Sequence, residues 1–535
     1  MSSSRLRPKR HRPLVMGYHG MVASAHPLAS LAGVDVLRRG GNAVDAAIAV
    51  NAVLNVTQPG ACGIGGDLFA LIYWAKEGRV RFLNGSGRTP AATDVALLQS
   101  GPAMPRRGIR SVSVPGCVDA WFTMHEAYGS LPVAELLAPA IRLAEKGFPI
   151  SDKMAEAIAA TLKLDPHPSW VATYAPQGRA PKAGSRFVQR DLARSLALIA
   201  ERGRDAFYKG PIARAIVDLS DALGGWFTLE DLAEHASEWG EPIRTEYRGY
   251  TIFETPPNTQ GLAALIGLNI MEGFAMGGGE WLDAKRLHLQ IEAKKLAFAE
   301  RDRHVADPAF YQAPLERLLS KSYASELGSR IDPERAADPE EVPPHPGGTT
   351  YFAIADGYGN IVSCVQSLFQ GFGALVVPEG TGISLHNRGS YFSLDPSHPN
   401  VIAPRKRPFH TLIASMVFKG DRPVLAFGTM GGDGQPQTHM QVFSNLFDHG
   451  MDLQEAIEAP RWLHGDVGPQ RAGARLYLES RFGEKVAHDL RAMGHDVVVV
   501  GPWEDIMGHA QGVWIEGDLL IGAADPRGDG YALGW

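Results

Sequence analysis

The chain has 535 residues, and its 52 Lys+Arg against 58 Asp+Glu give a formal charge of −6. That balance argues against a nucleic-acid binder, which is usually basic, while 45% hydrophobic and 21% charged residues place the chain with globular proteins rather than disordered ones. Three cysteines, Cys62, Cys117 and Cys364, make neither a disulfide framework nor a four-thiolate zinc site.

The start is basic through Arg5, Arg7, Lys9, Arg10 and Arg12 and reads as a solvated tail. No apolar run of signal length follows, because LVMGYHGMV is broken by Gly17, His19 and Gly20. The apolar stretches further on fall below the roughly 20 residues a membrane span needs, so a cytoplasmic protein without membrane contact is expected. Length alone would allow three or four domains of about 150 residues.

Two helices come first, HPLASLAGVDVLRR and NAVDAAIAVNAVLNV, parted by Gly40 and Gly41, with Asn42 as a cap. After the glycine-rich QPGACGIGGD, LFALIYWA and RVRFLNGSG read as paired strands. From Val114 to about Ala324 the spacing is helical, as in PVAELLAPAIRLAEKG and DAKRLHLQIEAKKLAFAERDR, and predicts a helical layer. Residues 326–348 are charged, proline-rich and aperiodic, an exposed linker. They run into TTYFAIAD and NIVSCVQSLF, two alternating strands joined by DGYGN. More strands follow, with helices near MQVFSNLFDHG and EKVAHDLRAMG.

The junction Gly347-Gly348-Thr349-Thr350 carries the chemistry. A hydroxyl residue at the start of a strand, preceded by glycine, suits a chain that cuts itself: the Thr349 hydroxyl attacks the Gly348 carbonyl, and water opens the ester. The new Thr349 α-amine, with an ordinary pKa of about 7.7–8, can then serve as the nucleophile's own base. Other chemistries have weaker signals. Cys62 in a glycine-rich turn could be a reactive thiol, no GxSxG is present, no HExxH or close His/Cys grouping calls for a metal, and the Gly63, Gly65, Gly66 turn lacks the Lys-Ser/Thr of a phosphate loop. No cofactor is called for.

Nearly the whole chain resembles the γ-glutamyltransferase (glutathione hydrolase) family of N-terminal nucleophile hydrolases. The resemblance is carried by MVASAHPLASLAGVDVLRRGGNAVDAAIA, QPGACGIGGDLFALIY, SVPGCVDAW, PPNTQG and AFAERDRHVADP. It continues through TTYFAIADGYGN, GTGISLHNRGSYF, RKRPFHTL, GTMGGDGQPQ and ADPR. It implies an α+β fold, an αββα four-layer sandwich, built from a large subunit 1–348 and a small subunit 349–535 cut from one precursor. These would form a heterodimer acting on a small-molecule amide, with a dimer of heterodimers left open. By motif position the nucleophile is Thr349, its hydroxyl partner is Ser367, and the oxyanion hole is the Gly431, Gly432 amide pair.

The substrate-binding positions depart from the family. Where glutathione-cleaving members hold the α-carboxylate with a Ser-Ser pair, this chain has His410 and Thr411. The Asn, Gln and Asp that take the α-amino group correspond to Phe369, Arg388 and Tyr391. The carboxylate-binding Arg aligns with Ser86, leaving Arg88 as a candidate substitute. Losing a carboxylate and gaining a cation favours an acyl group that ends in a carboxylate and lacks an α-amine, a pattern similar to the acylase and oxamate amidohydrolase branch. The alternatives are a true glutathione hydrolase or γ-glutamyltransferase, and an inactive binding protein. Residues 349–535 hold 13 Lys+Arg and 20 Asp+Glu, net −7, which leaves +1 for residues 1–348. Against that acidic piece, Arg388, Arg405, Lys406 and Arg407 stand out as attractions for an anionic substrate.

Overall fold

A computed structural model describes residues 10–277, 281–338, 348–465 and 474–535. Two seven-stranded sheets, antiparallel at every pairing, organise it. One runs Tyr531–Gly534, Gly20–Ser24, Gly348–Asp356, Ile361–Phe369, Asp67–Trp74, Arg79–Gly85, Glu238–Gly240 in spatial order. The other runs Val15–Gly17, Leu519–Ala524, Ala510–Glu516, Arg422–Thr429, Ser415–Lys419, Tyr250–Glu254, Ile243–Tyr247. Both sheets therefore draw strands from before and after Thr349.

The strand containing Thr349 is an interior strand, third of seven in its sheet, and its alternation has a double use. Tyr351, Ala353 and Ala355 enter a buried cluster with Phe69, Val365, Met416, Ala426 and Val513, which joins the two sheets. Phe352 and Ile354 point the other way, into a core with residues of the helices Pro27–Arg38, Ala43–Thr57 and Cys117–Tyr128. Because both faces are covered, the strand reads as an almost continuous apolar run. A third core packs Ile252, Val417 and Leu425 against the helices Gly261–Glu272, Ala284–His304 and Gly434–Phe447.

Local signals set the ends of these elements. Asn42 accepts from Val44 and Asp45 amides, and the Asp45 carboxylate accepts from the Asn42 amide in return, closing the capping box that starts the second helix. Asp356 turns the hairpin after the strand Gly348–Asp356 by accepting from the Tyr358 and Asn360 amides, each at 2.9 Å.

Three expectations need correction. The stretch from Val114 to Ala324 is not helical throughout: it contains Glu238–Gly240 and the hairpin Ile243–Tyr247/Tyr250–Glu254, one strand in one sheet and two in the other. The signal was present in IRTEY, whose side chains alternate buried and exposed, with Arg248 and Gly249 both at positive φ in the turn. The 326–348 linker begins later, because the helix Lys321–Gly328 takes its first residues; residues 339–347 lie outside the described residues. The basic start is docked where it is described, since the Arg12 side chain donates to the Gly530 carbonyl at 2.6 Å and the Arg12 amide to Glu458 at 2.9 Å. Arg5, Arg7 and Lys9 lie outside the described residues. Among the described residues no helix is long and apolar enough to cross a membrane.

Candidate active site

Gly348 and Thr349 open their strand opposite Phe369 and Ser367, at a register shift between the two. The Thr349 hydroxyl donates to Ser367 Oγ at 3.2 Å, and Ser367 Oγ–H donates to the Gly348 carbonyl at 2.6 Å. The Phe369 amide also donates to Ser367 Oγ, at 2.6 Å. One hydroxyl thus touches both the Thr349 hydroxyl and the carbonyl just ahead of it. Phe369 holds a φ of 76° to aim that amide, a conformation that costs a bulky residue about 1–3 kcal/mol and is found mainly at sites that need it.

Two glycines are demanded by close approach. A Cβ on Gly348 would meet the Gly60 carbonyl oxygen at 2.8 Å and Ala61 Cα at 3.2 Å. A Cβ on Gly66 would come 2.2 Å from the Ser367 carbonyl oxygen. The glycine-rich turn is therefore a packing surface against the Ser367 strand.

Gly431 (φ 134°) and Gly432 (φ 57°) form the turn that leads into the helix Gly434–Phe447. Neither amide donates to a protein acceptor among the described residues. The turn is fixed from behind: Gln260 Nε2 donates to the Gly432 carbonyl at 2.9 Å and to the Thr411 carbonyl at 2.7 Å, while Arg301 donates to Gln260 Oε1 at 2.7 Å. Two free amides at a helix N-terminus are an anion-binding arrangement.

Arg388 is only 1% exposed. It donates to Thr411 Oγ1 at 3.0 Å and to Ser367 Oγ at 3.4 Å, and its guanidinium lies 4.2 Å from the centre of the Phe369 ring. Burial lowers its pKa to about 10, so it stays a cation at neutral pH, and no carboxylate oxygen lies within 4.0 Å of it among the described residues. Arg388, Thr411, Phe369 and Ser367 are thus one cluster with Thr349.

Tyr391 stacks on Phe409 at 4.4 Å and donates to Asp433 Oδ1 at 2.8 Å. Asp433 in turn is paired with Arg301 at 2.6 Å. His410 is fully buried, edge-on to Phe69, and its Nε2 is 3.1 Å from Asp67 Oδ2. Burial, with Arg388 next, holds it well below its ordinary pKa, so it is neutral. A neutral His410 adds no positive charge to the cluster.

Arg88 does not join the cluster. Its guanidinium pairs with Glu238 at 3.0 Å on a surface cleft shared with Asp231, Glu234 and Arg405. The other cations that stood out in the sequence are also occupied: Arg405 by Glu234, Arg407 by Glu238 at 2.9 Å, and Lys406 by the Pro399 and Val401 carbonyls at 2.7 and 2.8 Å. The Ser86 hydroxyl, at the position aligned with the family Arg, donates to Asn84 at 2.6 Å.

The rival thiol is inert. Cys62 is buried and burial pushes its pKa up to about 12. Residues missed in the sequence are Asp67, Gln260, Arg301, His386 and Asp433. All five stand inside motifs quoted above; their roles depend on partners as far as 41 to 343 positions away (Arg301–Gln260 and His410–Asp67).

Comparison with known proteins now places this arrangement. Residues 29–535 match the family model described as Gamma-glutamyltranspeptidase. The chain belongs to that family. It is 43% identical over 530 residues to the glutathione hydrolase-like YwrD proenzyme of Bacillus subtilis, covering 97% of this chain and 99% of that protein. It is 38% identical over 525 residues to the oxamate amidohydrolase proenzyme of Klebsiella pneumoniae, covering 97% and 98%. The cephalosporin acylase of Bacillus halodurans superposes with a TM-score of 0.92 at 41% identity, covering 100% of this chain and 99% of that one. The chain is therefore an amide-bond hydrolase or transferase of the γ-glutamyltransferase family.

Proposed function

We propose that this member of the family cleaves itself between Gly348 and Thr349 and then hydrolyses the amide of a short acyl group that carries a carboxylate. The observation that carries the substrate class is Arg388, a buried cation beside the nucleophile whose side chain, among the described residues, meets two hydroxyls and a ring. A buried charge left without a counter-ion costs several kcal/mol, and a substrate carboxylate supplies the missing partner bidentately.

In processing, the Ser367 hydroxyl polarises the Gly348 carbonyl while Thr349 Oγ attacks its carbon. The C–N bond breaks, the nitrogen leaves as the Thr349 α-amine, and water opens the ester. The products are subunits 1–348 and 349–535, held as a heterodimer by the shared sheets. The three cores, one between the sheets and one against helices on each outer side, support the αββα order. In turnover, Thr349 Oγ attacks the substrate carbonyl carbon and its proton passes to the α-amine. The Gly431 and Gly432 amides hold the oxyanion, each worth about 3 kcal/mol. The amine delivers the proton to the leaving nitrogen, and water hydrolyses the acyl ester.

A γ-glutamyl substrate needs a carboxylate for its ammonium group, and the one beside Tyr391, Asp433, is held by Arg301 and the tyrosine hydroxyl. The test is intact mass of the purified protein followed by assays on glutaryl, oxamate and γ-glutamyl amides. Two chains, the second beginning at Thr349, and a glutaryl or oxamate rate at least about tenfold above the γ-glutamyl rate are expected. A single uncut chain, or a γ-glutamyl preference, sinks the reading.

A further inference from the structure

Asp67 stands directly across from Ser367 in the strand pair Asp67–Trp74/Ile361–Phe369, so its strand position puts it beneath the Arg388 cluster. It is 1% exposed. Its Oδ1 accepts from the Gly116 amide at 3.2 Å, and the Gly87 amide also stabilises the carboxylate. Its Oδ2 has no hydrogen-bond partner among the described residues, although His410 Nε2 is 3.1 Å and His386 Nδ1 3.9 Å away. Both His410 ring nitrogens likewise lack partners.

The groups around Asp67 assign its charge role. His386 cannot balance it: its Nε2–H donates to the Ser113 carbonyl at 2.9 Å, its Nδ1 accepts the Arg388 amide at 3.1 Å, and its pKa is lowered to about 3 by burial and then Arg388. His410 is neutral as described, and Arg407 is already paired with Glu238. Cys117, at the start of the adjoining helix, is a buried thiol with a raised pKa. Among the cations facing Asp67, Arg388 acts on it most strongly, ahead of Arg407.

We propose that Asp67 is a specificity-determining residue: it lies across the strand pair from Ser367, beyond ion-pair distance of Arg388, and its anionic form opposes an incoming acyl carboxylate at that guanidinium. The proposal rests on the reading of Arg388 as the carboxylate site. Burial pushes the Asp67 carboxyl up to about 7. Below that pH the group is neutral and Arg388 presents its full charge to the substrate. Above it Asp67 is anionic and opposes a second anion, so the carboxylate-bearing substrate binds only with uptake of a proton.

The experiment uses the processed enzyme and two anilides, glutaryl-p-nitroanilide and its terminal-carboxamide analogue. The ratio of their kcat/KM values cancels the titration of the Thr349 amine, which is common to both. The ratio is expected to favour glutaryl and to fall from pH 6 to pH 8, by at most about tenfold per pH unit for one proton. Asp67→Asn, which keeps the shape and the amide contacts, is expected to hold the ratio flat at or above its wild-type value at pH 6. A wild-type ratio that favours glutaryl but does not change with pH overturns the role of Asp67, as does a slope that persists in Asp67→Asn. A ratio near one at every pH overturns the Arg388 reading itself. If Asp67→Asn fails to fold, the wild-type series still decides.

Discussion

Two buried arginine clusters in this molecule differ in one respect. Just beyond the strand Leu519–Ala524, Arg527 donates to both oxygens of Glu479 at 2.7 and 2.6 Å and pairs with Asp525 at 3.1 Å, while Arg461 pairs with Asp525 at 2.7 Å. Further donors go to the carbonyls of Ile457, Ala459, Met507 and Gly508, leaving Arg461 Nε without a partner among the described residues. Arg461 and then Arg527 outweigh burial and hold the Asp525 carboxyl far below the usual range. Every charge there is answered, which is how a structural cluster tolerates burial. Arg388 is equally buried but meets hydroxyls and an aromatic face, while Asp67, across the strand pair from Ser367, sits 3.1 Å from a neutral histidine. The first cluster is closed and holds the fold. The second is open, on the side where Thr349 sits.

The largest effect belongs to Thr349, the proposed nucleophile beside the open cluster. Thr349→Ala is expected to remain a single chain on a denaturing gel and to lose turnover by at least about 10⁴-fold; two subunits from that variant would place the cut elsewhere. The closed cluster is tested next through stability. Arg527→Met leaves Glu479 and Asp525 short of a partner and is expected to cost about 3 kcal/mol or more, lowering Tm by roughly 3–6 °C with the substrate preference unchanged. A shift in preference without loss of Tm would erase the distinction between the clusters.

Tyr391→Asp closes the open cluster artificially, because it puts a carboxylate near Arg388 and removes the ring stacked on Phe409. The ratio of γ-glutamyl to glutaryl turnover is expected to rise about tenfold, or 1.4 kcal/mol, and an unchanged ratio would contradict the role given to Tyr391. The smallest effect is at Arg88, whose half-exposed pair with Glu238 belongs to neither cluster. Arg88→Ala is expected to change kcat/KM less than twofold, in keeping with the 0–1 kcal/mol of such pairs.

Much of this was legible in the sequence for physical reasons. Glycine before Thr349, the alternating strand after it and the capping box at Asn42 are local signals, and each acts within a few residues. The assignment of the Gly431, Gly432 turn to the oxyanion rests on motif order. What was not legible was which cations are free. Arg88, Arg405, Lys406 and Arg407 look as available as Arg388 in the sequence, and only the fold brings Glu234, Glu238 and two carbonyls to them. Asp67 was hidden for the same reason: it is one acid in a glycine-rich turn until the sheet register sets it opposite Ser367. The hairpin of residues 243–254 was missed because helical periodicity on both sides outweighed a five-residue alternation.

The most direct measurement compares wild type and Arg388→Met at pH 6.5 on glutaryl-p-nitroanilide and its carboxamide analogue, with Tm recorded for both proteins. If Arg388 is a cation kept open for the substrate, the variant loses the preference for glutaryl by about 100-fold, as expected for a buried charge pair of roughly 3 kcal/mol, while Tm stays within about 2 °C. A variant that keeps the preference, or that unfolds like Arg527→Met, would show that Arg388 is one more structural arginine.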